Sequence, residues 1–133
     1  DSVKSRGLGD VYKRQTKPCL VVTDGWYEWK KSNTSEKYPF YFHKGGKIIY
    51  MAGIYNEIGC AIVTKNASPD IANIHHRQPV LLNKLGRRHW IKGLGLRSEH
   101  FYSDIESYRV GNFVNSPKFD EPACIAPLRE NLI

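Results

Sequence analysis

The sequence is poor in cysteine and has no long apolar run. Its three cysteines, Cys19, Cys60 and Cys124, are an odd number at wide spacings, so they form neither a CxxC pair, nor a zinc pattern, nor a disulfide framework. Buried thiols in a reducing compartment are expected. No apolar run reaches the length that spans a bilayer, and no charged-apolar-small leader opens the chain, which predicts a soluble cytoplasmic protein without a membrane partner.

The signatures of several enzyme classes are also missing. The chain has no G-x-S-x-G elbow, no glycine-rich phosphate loop and no H-E-x-x-H helix, and no complete hydrolytic triad can be assembled from it. Adjacent His75 and His76 on an extended segment would point in opposite directions, so they make a poor chelating pair. We therefore expect no metal and no other cofactor.

Positive charge is what the sequence has in excess. The 20 Lys and Arg residues outnumber the 13 Asp and Glu residues, which gives a formal charge of +7, and aromatic and basic residues are interleaved in WYEWKK, KYPFYFHK and RRHWIK. This mixture suits single-stranded nucleic acid, because rings stack on bases and cations follow phosphates. A merely basic protein whose aromatic residues pack in a core is the alternative, and composition leaves both open.

Apolar runs separated by turn signals predict a strand-rich α+β domain with its helices in the C-terminal half. Strands are expected at Cys19–Val22, Trp26–Lys30, Ile58–Thr64 and up to Val80–Leu82, with a Gly-Gly hairpin between strands Tyr38–Lys44 and Lys47–Glu57. Helices are expected after Ser68-Pro69, over Lys84–Ile91 with Asn83 as the cap, and over Ser98–Tyr108. Residues 1–16 show no apolar period and are expected to be a lead-in or tail.

The stretch DGWYEWKK places one carboxylate among three large aromatic residues. In a strand, Trp26, Glu28 and Lys30 share one face. The local pattern favours an exposed Glu28 that pairs with Lys30 or Lys44. The alternative is a carboxyl group that is desolvated against an indole, so that its pKa rises and it can transfer a proton near neutral pH.

The stretch NIHHRQPV holds an imidazole next to a guanidinium. We expect one histidine to face a pocket and the other to face solvent. Arg77 would lie on the same side as His75, which would put an acid/base group beside a phosphate clamp. A basic surface segment before a strand is the other interpretation, and the segment alone favours it.

Four segments in order carry a resemblance to a known family. PCLVVTDGWYEW (Pro18–Trp29) mirrors the pattern RCLIPADGFYEW, and YPFYFHKGGKIIYMAGIYNE is similar to PYFI…FAGLWE. TKNASPDIANIHHRQPVLL (Thr64–Leu82) matches TTEANPLLAPIHDRMPVIL without a gap, and VNSPKFDEPACIAPL (Val114–Leu128) matches VNNPRNDGPELIEPL. The chain thus resembles the SRAP family (SOS response-associated peptidase), which senses abasic sites in single-stranded DNA. The resemblance implies a strand-rich SRAP-like β-barrel or sheet core with peripheral helices.

The resemblance also implies covalent chemistry on DNA. Family members expose an N-terminal cysteine by autoproteolysis; its α-amine attacks the aldehyde of an abasic sugar, and its thiol closes a thiazolidine crosslink. Glu28 would be the proton shuttle in ring opening and Schiff-base formation, and His75 would assist the acid/base steps and crosslink reversal. The residues implied to bind DNA, three of which lie in the interleaved stretch WYEWKK, are Trp29, Arg77, Thr64, Trp26 and Lys30. The implied partner is single-stranded DNA with abasic sites, bound by a monomer.

The sequence also departs from the family. The family's N-terminal half, which holds the cysteine nucleophile, has no counterpart, and Cys19 corresponds to the cysteine of RCL. Residues 17–133 are therefore predicted to be the C-terminal portion of one incomplete SRAP-like domain, inactive alone. His76, Gln78 and Ser68 replace the usual aspartate, methionine and asparagine. A non-catalytic single-stranded DNA-binding module is the alternative function, and a thiol-independent peptidase is a weaker one.

Overall fold

The computed structural model describes residues 15–128, which contain eight strands, two short α-helices and three 3₁₀ turns. The strands are β1 (Lys17–Thr23), β2 (Gly25–Lys31), β3 (Lys37–His43), β4 (Ile49–Tyr55), β5 (Cys60–Ile62), β6 (Thr64–Asn66), β7 (Arg77–Pro79) and β8 (Glu106–Arg109). The helices are α1 (Pro69–Ala72) and α2 (Lys84–Ile91), and the 3₁₀ turns are Ser98–His100, Asn112–Asn115 and Pro122–Ile125. The strand-rich α+β class is confirmed.

Three open sheets contain these strands, in the orders β1-β4-β5, β2-β3-β8 and β6-β7. Within the described residues no helix is long and apolar enough to cross a membrane. The predicted lead-in, residues 1–16, lies outside the described residues except for its last two positions.

The described chain divides into two compact units. The first unit contains residues 15–22, Tyr50–Lys65 and Pro79–Tyr102, and the second contains Thr23–Ile49, Asn66–Gln78 and residues 103–128. The prediction that residues 17–133 are part of a single domain stays a prediction.

A small apolar core holds the first unit together. Its fully buried members are Ala52, Val80 and Leu82, and around them pack Leu20, Val63, Trp90, Leu96 and Phe101. The Ala52 N–H donates to the Val80 carbonyl and the Val63 N–H donates to the Ala52 carbonyl, each at 2.9 Å. Backbone pairing and side-chain burial therefore stabilise the same residues.

Helix α2 begins and ends where the sequence predicts. The Asn83 side-chain oxygen accepts a hydrogen bond from the Gly86 N–H at 2.8 Å, as an N-cap should. Gly86 has low helix propensity, but a Cβ at this position would overlap the carbonyl oxygen of His100. Close packing therefore requires the glycine that propensity alone disfavours.

Aromatic cross-strand contacts organise the second unit. Strand β2 pairs antiparallel with β3, with Trp26 opposite Phe42, and β3 pairs antiparallel with β8, with Tyr41 opposite Tyr108. The Trp26 and Phe42 rings stack with centroids 5.0 Å apart, and the Tyr41 and Tyr108 rings meet edge to face at 5.8 Å. Such pairs are a main source of sheet stability.

The predicted Gly-Gly hairpin is wrong, although its turn forms. Gly45 and Gly46 have φ angles of 61° and 79°, and the Lys47 N–H donates to the Lys44 carbonyl at 3.1 Å. The flanking strands do not pair with each other, because β3 pairs with β2 and β8 while β4 lies between β1 and β5. A tight turn fixes local direction, but the partners of each strand depend on which side chains its faces bury.

The predicted helix over Ser98–Tyr108 is also wrong. Only Ser98–His100 forms a 3₁₀ turn, Phe101 makes a bridge to Leu82, and Glu106–Arg109 is strand β8. The open edge of β3 and the ring of Tyr41 offer this segment backbone hydrogen bonds and an aromatic partner. Tertiary pairing therefore overrides the helical periodicity.

Two further strand predictions hold only in part. The predicted strand Ile58–Thr64 is divided into β5 and β6 at Val63, whose N–H bonds to Ala52. Strand β7 ends at Pro79, and the predicted continuation to Leu82 consists of isolated bridges from Leu81 and Leu82.

Candidate active site

The second unit contains an open cleft of about 950 Å³. Its walls are the end of β2 from Glu28 to Lys31, the loop that leads into β3, the chain from Ala72 to His76, and Val114 with Asn115. Three segments distant in sequence, residues 28–37, 72–76 and 114–115, thus converge on one site. Two of the predicted catalytic and DNA-contacting segments, around Glu28 and around His75, meet here.

Glu28 and His75 face each other in this cleft. The Glu28 Oε1 atom lies 4.0 Å from the His75 Nε2 atom, and the exposed fractions of the two side chains are 22% and 32%. This distance is longer than a hydrogen bond and short enough for direct electrostatic interaction. A small shift or a bridging hydroxyl group would connect the two groups.

Partial burial changes the acidity of Glu28. Desolvation raises the pKa of this carboxyl group above its ordinary value, because the buried charge loses hydration. The imidazole of His75, the nearby indole N–H of Trp26 and the imidazole of His76 oppose this rise in pKa, in decreasing order. Desolvation dominates, so Glu28 keeps its proton to a higher pH than an exposed glutamate. The alternative of an exposed Glu28 paired with a lysine is not what the structure shows.

The backbone of Arg77 holds the His75 ring in place. The Arg77 N–H donates to the His75 Nδ1 at 3.1 Å, and the Arg77 carbonyl oxygen lies 3.0 Å from the same Nδ1. A bare Nδ1 can accept from the N–H, and a protonated Nδ1 can donate to the carbonyl. His75 therefore keeps a backbone partner in each protonation state, with Nε2 directed at Glu28.

The two adjacent histidines do not point in opposite directions, contrary to the prediction. Their rings stack with centroids 4.7 Å apart and planes inclined by 20°, and both residues line the cleft. The reason is that the chain bends at His76 before β7 begins, so the alternation of an extended strand does not apply. The cleft thus contains two imidazoles next to one carboxyl group.

Trp29 lies at the cleft with its indole anchored. The Trp29 Nε1 donates to the Asn115 side-chain oxygen at 2.7 Å, and both residues line the cleft. On the same face of β2 the Tyr27 ring lies 6.3 Å from the Trp29 ring, and its hydroxyl donates to the Cys124 carbonyl at 3.0 Å. An anchored indole at the edge of a cleft is a suitable surface for stacking a base.

Three lysines, Lys30, Lys31 and Lys37, give the cleft a positive wall. Lys31 and Lys37 lie directly opposite each other in the β2–β3 register. Like charges at directly opposite positions destabilise a strand pair. Two such charges at the wall of a cleft are typical of a site for an anionic ligand.

The structure does not bring every predicted site residue to the cleft. Trp26 stacks on Phe42 and is not among the lining residues, and the Arg77 Nη1 donates to the Asn66 side-chain oxygen at 2.8 Å. Thr64 is an exposed residue of the first unit. The DNA-contacting roles of these three residues stay predictions.

The lining residues that sequence reasoning missed include Lys31, Lys37, His76 and Asn115. Lys31 and Lys37 flank a polar loop, so pairing β2 with β3 as a hairpin would have placed them opposite each other. Asn115 had no comparable signal, because its partner Trp29 is 86 residues away in sequence. Within residues 15–128, no group of three or more His, Cys, Asp and Glu side chains could hold a metal ion.

Comparison with known proteins identifies relatives of this chain. The model of the family described as SOS response associated peptidase (SRAP) matches residues 8–117. The abasic site processing protein YoqW of Bacillus subtilis (strain 168) is 27% identical over 128 residues, which cover 83% of this chain and 57% of that protein. The abasic site processing protein HMCES of Gallus gallus is 26% identical over 150 residues, which cover 84% of this chain and 44% of that protein.

A bacterial relative and a solved structure extend the comparison. The abasic site processing protein YedK of Escherichia coli (strain K12) is 35% identical over 83 residues, covering 56% of this chain and 37% of that protein. The chain spans about half the length of the curated relatives it matches. A crystal structure of a protein from Bacteroides thetaiotaomicron superposes with a TM-score of 0.68 at 19% identity, covering 93% of this chain and 62% of that one. At that identity the likeness shows the fold alone.

Proposed function

The chain belongs to the SOS response associated peptidase (SRAP) family, and from that premise we propose that its cleft takes part in processing abasic sites in single-stranded DNA. The observation that carries the proposal is the 4.0 Å approach of Glu28 and His75 in a cleft with a lysine wall. The names of the curated relatives, abasic site processing proteins, agree with it.

Ring opening of the abasic sugar is the step that this pair suits. The closed sugar is a hemiacetal, which opens when its C1′ hydroxyl loses a proton and its ring oxygen gains one. Glu28, whose pKa burial raises, gives a proton to the ring oxygen, and the His75 imidazole takes the hydroxyl proton. The product is the open-chain aldehyde, and the net proton count of the two side chains and the sugar is unchanged.

The crosslink itself needs a cysteine with a free α-amine. The amine adds to the aldehyde and water leaves to form a Schiff base; the thiol then adds to the C=N bond and closes a thiazolidine. Cys19, Cys60 and Cys124 are all internal, so their nitrogens are amides and none of them can form this ring. We propose that the part of the family sequence without a counterpart here supplies the cysteine, exposes it by autoproteolysis and completes the predicted barrel.

Single-stranded DNA is the proposed ligand because the cleft offers both rings and cations. The indole of Trp29 can stack on a base, while Lys30, Lys31 and Lys37 follow the phosphates. A phosphate between Lys31 and Lys37 would turn a repulsive cross-strand pair into a binding site. The proposal includes a monomer in the cytoplasm, associated with the nucleoid if the cell is bacterial.

A chimera tests the catalytic part of the proposal. It joins the amino-terminal portion of Bacillus subtilis YoqW to residues 17–133 and is incubated with a single-stranded oligonucleotide that carries one abasic site. We expect an adduct that survives denaturing electrophoresis, formed at least about 100-fold more slowly by Glu28→Gln, because a general acid contributes this much or more. The matched control is Glu99→Gln, which changes an exposed glutamate of the first unit.

Two outcomes would contradict the proposal. A folded chimera that forms no adduct contradicts the assignment of the reaction, and an adduct that forms equally fast with Glu28→Gln contradicts the role of Glu28. The 133-residue chain alone is expected to form no adduct, and an adduct with it would show that the nucleophile has been assigned wrongly.

A non-catalytic single-stranded DNA-binding module is the second candidate, favoured by the Lys31–Lys37 pair. It predicts that the 133-residue chain binds an unmodified oligonucleotide with an affinity that falls steeply with salt. Lys37→Ala should lower the slope of log K against log salt by about 1, while Lys84→Ala, at an exposed first-unit position, should leave it unchanged. Equal slopes for both variants would contradict binding through the cleft.

A further inference from the structure

One of the three tryptophans in the chain has an indole N–H without a partner. The Trp26 Nε1 is buried and makes no hydrogen bond with any other described residue. By contrast, the Trp29 N–H donates to Asn115, and the Trp90 N–H donates to the carbonyls of Cys19 and Gly53. Buried indole N–H groups almost always find an acceptor, so this exception requires an explanation.

Packing fixes the direction of this N–H. The Trp26 ring stacks on the Phe42 ring with centroids 5.0 Å apart and planes inclined by 14°, and Phe42 is only 1% exposed. The two residues are cross-strand partners in the β2–β3 register. The indole therefore cannot turn away to another partner without breaking this stack.

The carboxyl group of Glu28 is an acceptor on the same face of the strand. Glu28 follows two residues later on β2, so both side chains leave the same face of the strand. Burial raises the pKa of Glu28, and the Trp26 side chain opposes that rise, as a donor to the charged form would. His75, which also lies near this carboxyl group, stays at 4.0 Å, beyond hydrogen-bond distance.

We infer that the Trp26 indole N–H is the donor that receives and orients the Glu28 carboxylate when Glu28 gives up its proton. The carboxylate gains a charge-assisted hydrogen bond from this N–H, which is stronger than the bond that the neutral carboxyl group could accept. The inference rests on the proposed role of Glu28 in proton transfer. It makes Trp26 a positioning residue, in place of the DNA contact predicted from the sequence.

The other charged groups around Glu28 are unchanged by a substitution at Trp26. Those that line the same cleft are His75, His76, Lys30, Lys31 and Lys37. All are bases, so their positively charged forms favour the carboxylate over the protonated carboxyl group, which is also the effect inferred for the indole N–H. Comparing variants that differ only at position 26 therefore isolates the contribution of the indole.

A carboxyl titration in the 133-residue chain tests the inference. Glutamate labelled with ¹³C and tryptophan labelled with ¹⁵N report the Glu28 carboxyl and the Trp26 indole N–H by NMR. We expect Trp26→Phe, which keeps the ring stack but has no N–H, to shift the midpoint of the Glu28 titration to higher pH. In the unsubstituted chain, the Trp26 indole proton should move downfield with an inflection at the Glu28 midpoint, as a hydrogen bond to the carboxylate forms.

Trp90→Phe is the matched control, because it removes a bonded indole N–H from the first unit. It should lower stability and leave the Glu28 midpoint unchanged. A folded Trp26→Phe chain with an unchanged midpoint would overturn the inference, and so would a Trp26 indole resonance that stays constant while Glu28 titrates. If Trp26→Phe does not fold, the indole resonance of the unsubstituted chain still tests the inference, because its shift with pH does not depend on the variant.

The titration contains no DNA, so it separates this inference from the proposed function. A chimera that forms no crosslink would leave the donor role of Trp26 intact. A Glu28 titration midpoint that does not change in Trp26→Phe would leave the proposed acid/base pair intact.

Discussion

The two compact units place the same residue types in different surroundings. In the first, the Trp90 indole N–H is shared between two backbone carbonyls at 3.0 and 2.9 Å, and Asn83 caps α2. In the second, the Trp26 N–H is buried without a partner, and the Glu28 carboxyl is half-buried at 4.0 Å from an imidazole. Each unit leaves a buried ring nitrogen without a hydrogen bond, the His100 Nε2 in the first and the Trp26 Nε1 in the second. The difference is that a carboxyl group, Glu28, lies on the same strand face as Trp26.

The two histidine pairs show the same contrast. In the first unit the His89 and His100 rings lie 4.2 Å apart, His100 is 2% exposed, and its Nδ1 accepts from the Arg97 N–H at 2.7 Å. In the second unit the His75 and His76 rings lie 4.7 Å apart and both line an open cleft. His89 and His100 also line a cavity, of about 450 Å³. A close pair of imidazoles at a cavity is thus no sign of function by itself, and the Glu28 carboxyl group 4.0 Å from His75 is what distinguishes the second pair.

The largest expected effect comes from breaking the core of the first unit. Leu82→Ala removes a fully buried side chain and should lower the free energy of unfolding by about 2–5 kcal/mol, because a cavity forms and apolar burial is lost. Urea unfolding followed by circular dichroism measures it. Leu85→Ala, the same change at a position that is 46% exposed, should cost less than about 1 kcal/mol. Similar losses for both variants would contradict the assigned core.

A smaller loss of unfolding free energy is expected from Gly86→Ala. The new Cβ would overlap the His100 carbonyl, so α2 must shift, at about 1–3 kcal/mol of unfolding free energy. Gly95→Ala is the matched control, because nothing lies within 4 Å of the new Cβ, and it should change stability by less than about 0.5 kcal/mol. If Gly86→Ala is as stable as the parent chain, close packing is not the reason for this glycine.

Removal of the helix cap should lower the unfolding free energy by less than Gly86→Ala does. Asn83→Ala loses the acceptor for the Gly86 N–H and the donor to the Glu99 carbonyl, and we expect a loss of about 1 kcal/mol in thermal or urea unfolding. Asn83→Asp keeps the acceptor and should recover part of that loss. An aspartate variant no more stable than the alanine variant would show that the cap acceptor contributes little.

The smallest predicted change has the opposite sign and lies in the second unit. Burial raises the pKa of Glu28, so the folded state holds this proton more tightly than the unfolded state does, and stability falls as pH rises through the raised pKa. Glu28→Gln removes this loss. We expect the variant to match the parent chain in stability at low pH. Above that pH window its free energy of unfolding should exceed that of the parent chain by less than about 1 kcal/mol, since the carboxyl group is only partly buried.

Urea unfolding at a series of pH values measures this difference. Glu99→Gln, at an exposed position of the first unit, should show no pH-dependent gain. If Glu28→Gln were less stable than the parent chain at neutral pH, the carboxylate would be a stabilising group, and the contrast between the two units would fail.

Much of the local structure follows from the sequence because it depends on neighbouring residues. The strands at Cys19–Val22 and Trp26–Lys30 and the helix after Ser68-Pro69 form where the pattern predicts them. Turn chemistry also predicted the glycine turn at Gly45 and Gly46. Strand partners were not predictable in the same way, because β3 finds β8 more than sixty positions later in the chain.

The candidate site shows the same division. The residue types, their order and the Glu28–His75 combination were available from the motifs and from the resemblance that they carry. The orientation of His76, the anchoring of Trp29 by Asn115 and the Lys31–Lys37 pair were not, because each depends on a bend or on a contact between segments distant in sequence.

The sequence by itself determined a basic, strand-rich α+β chain, the capped helix α2 and the chemical groups of the site. Short-range propensity and side-chain chemistry are sufficient for these features, since each is a property of a few consecutive residues. The tertiary structure alone decided that Glu28 is desolvated within reach of His75 while the Trp26 N–H stays unpaired. Burial and distance are properties of the packed chain, and they give a glutamate the acidity that its sequence position does not specify.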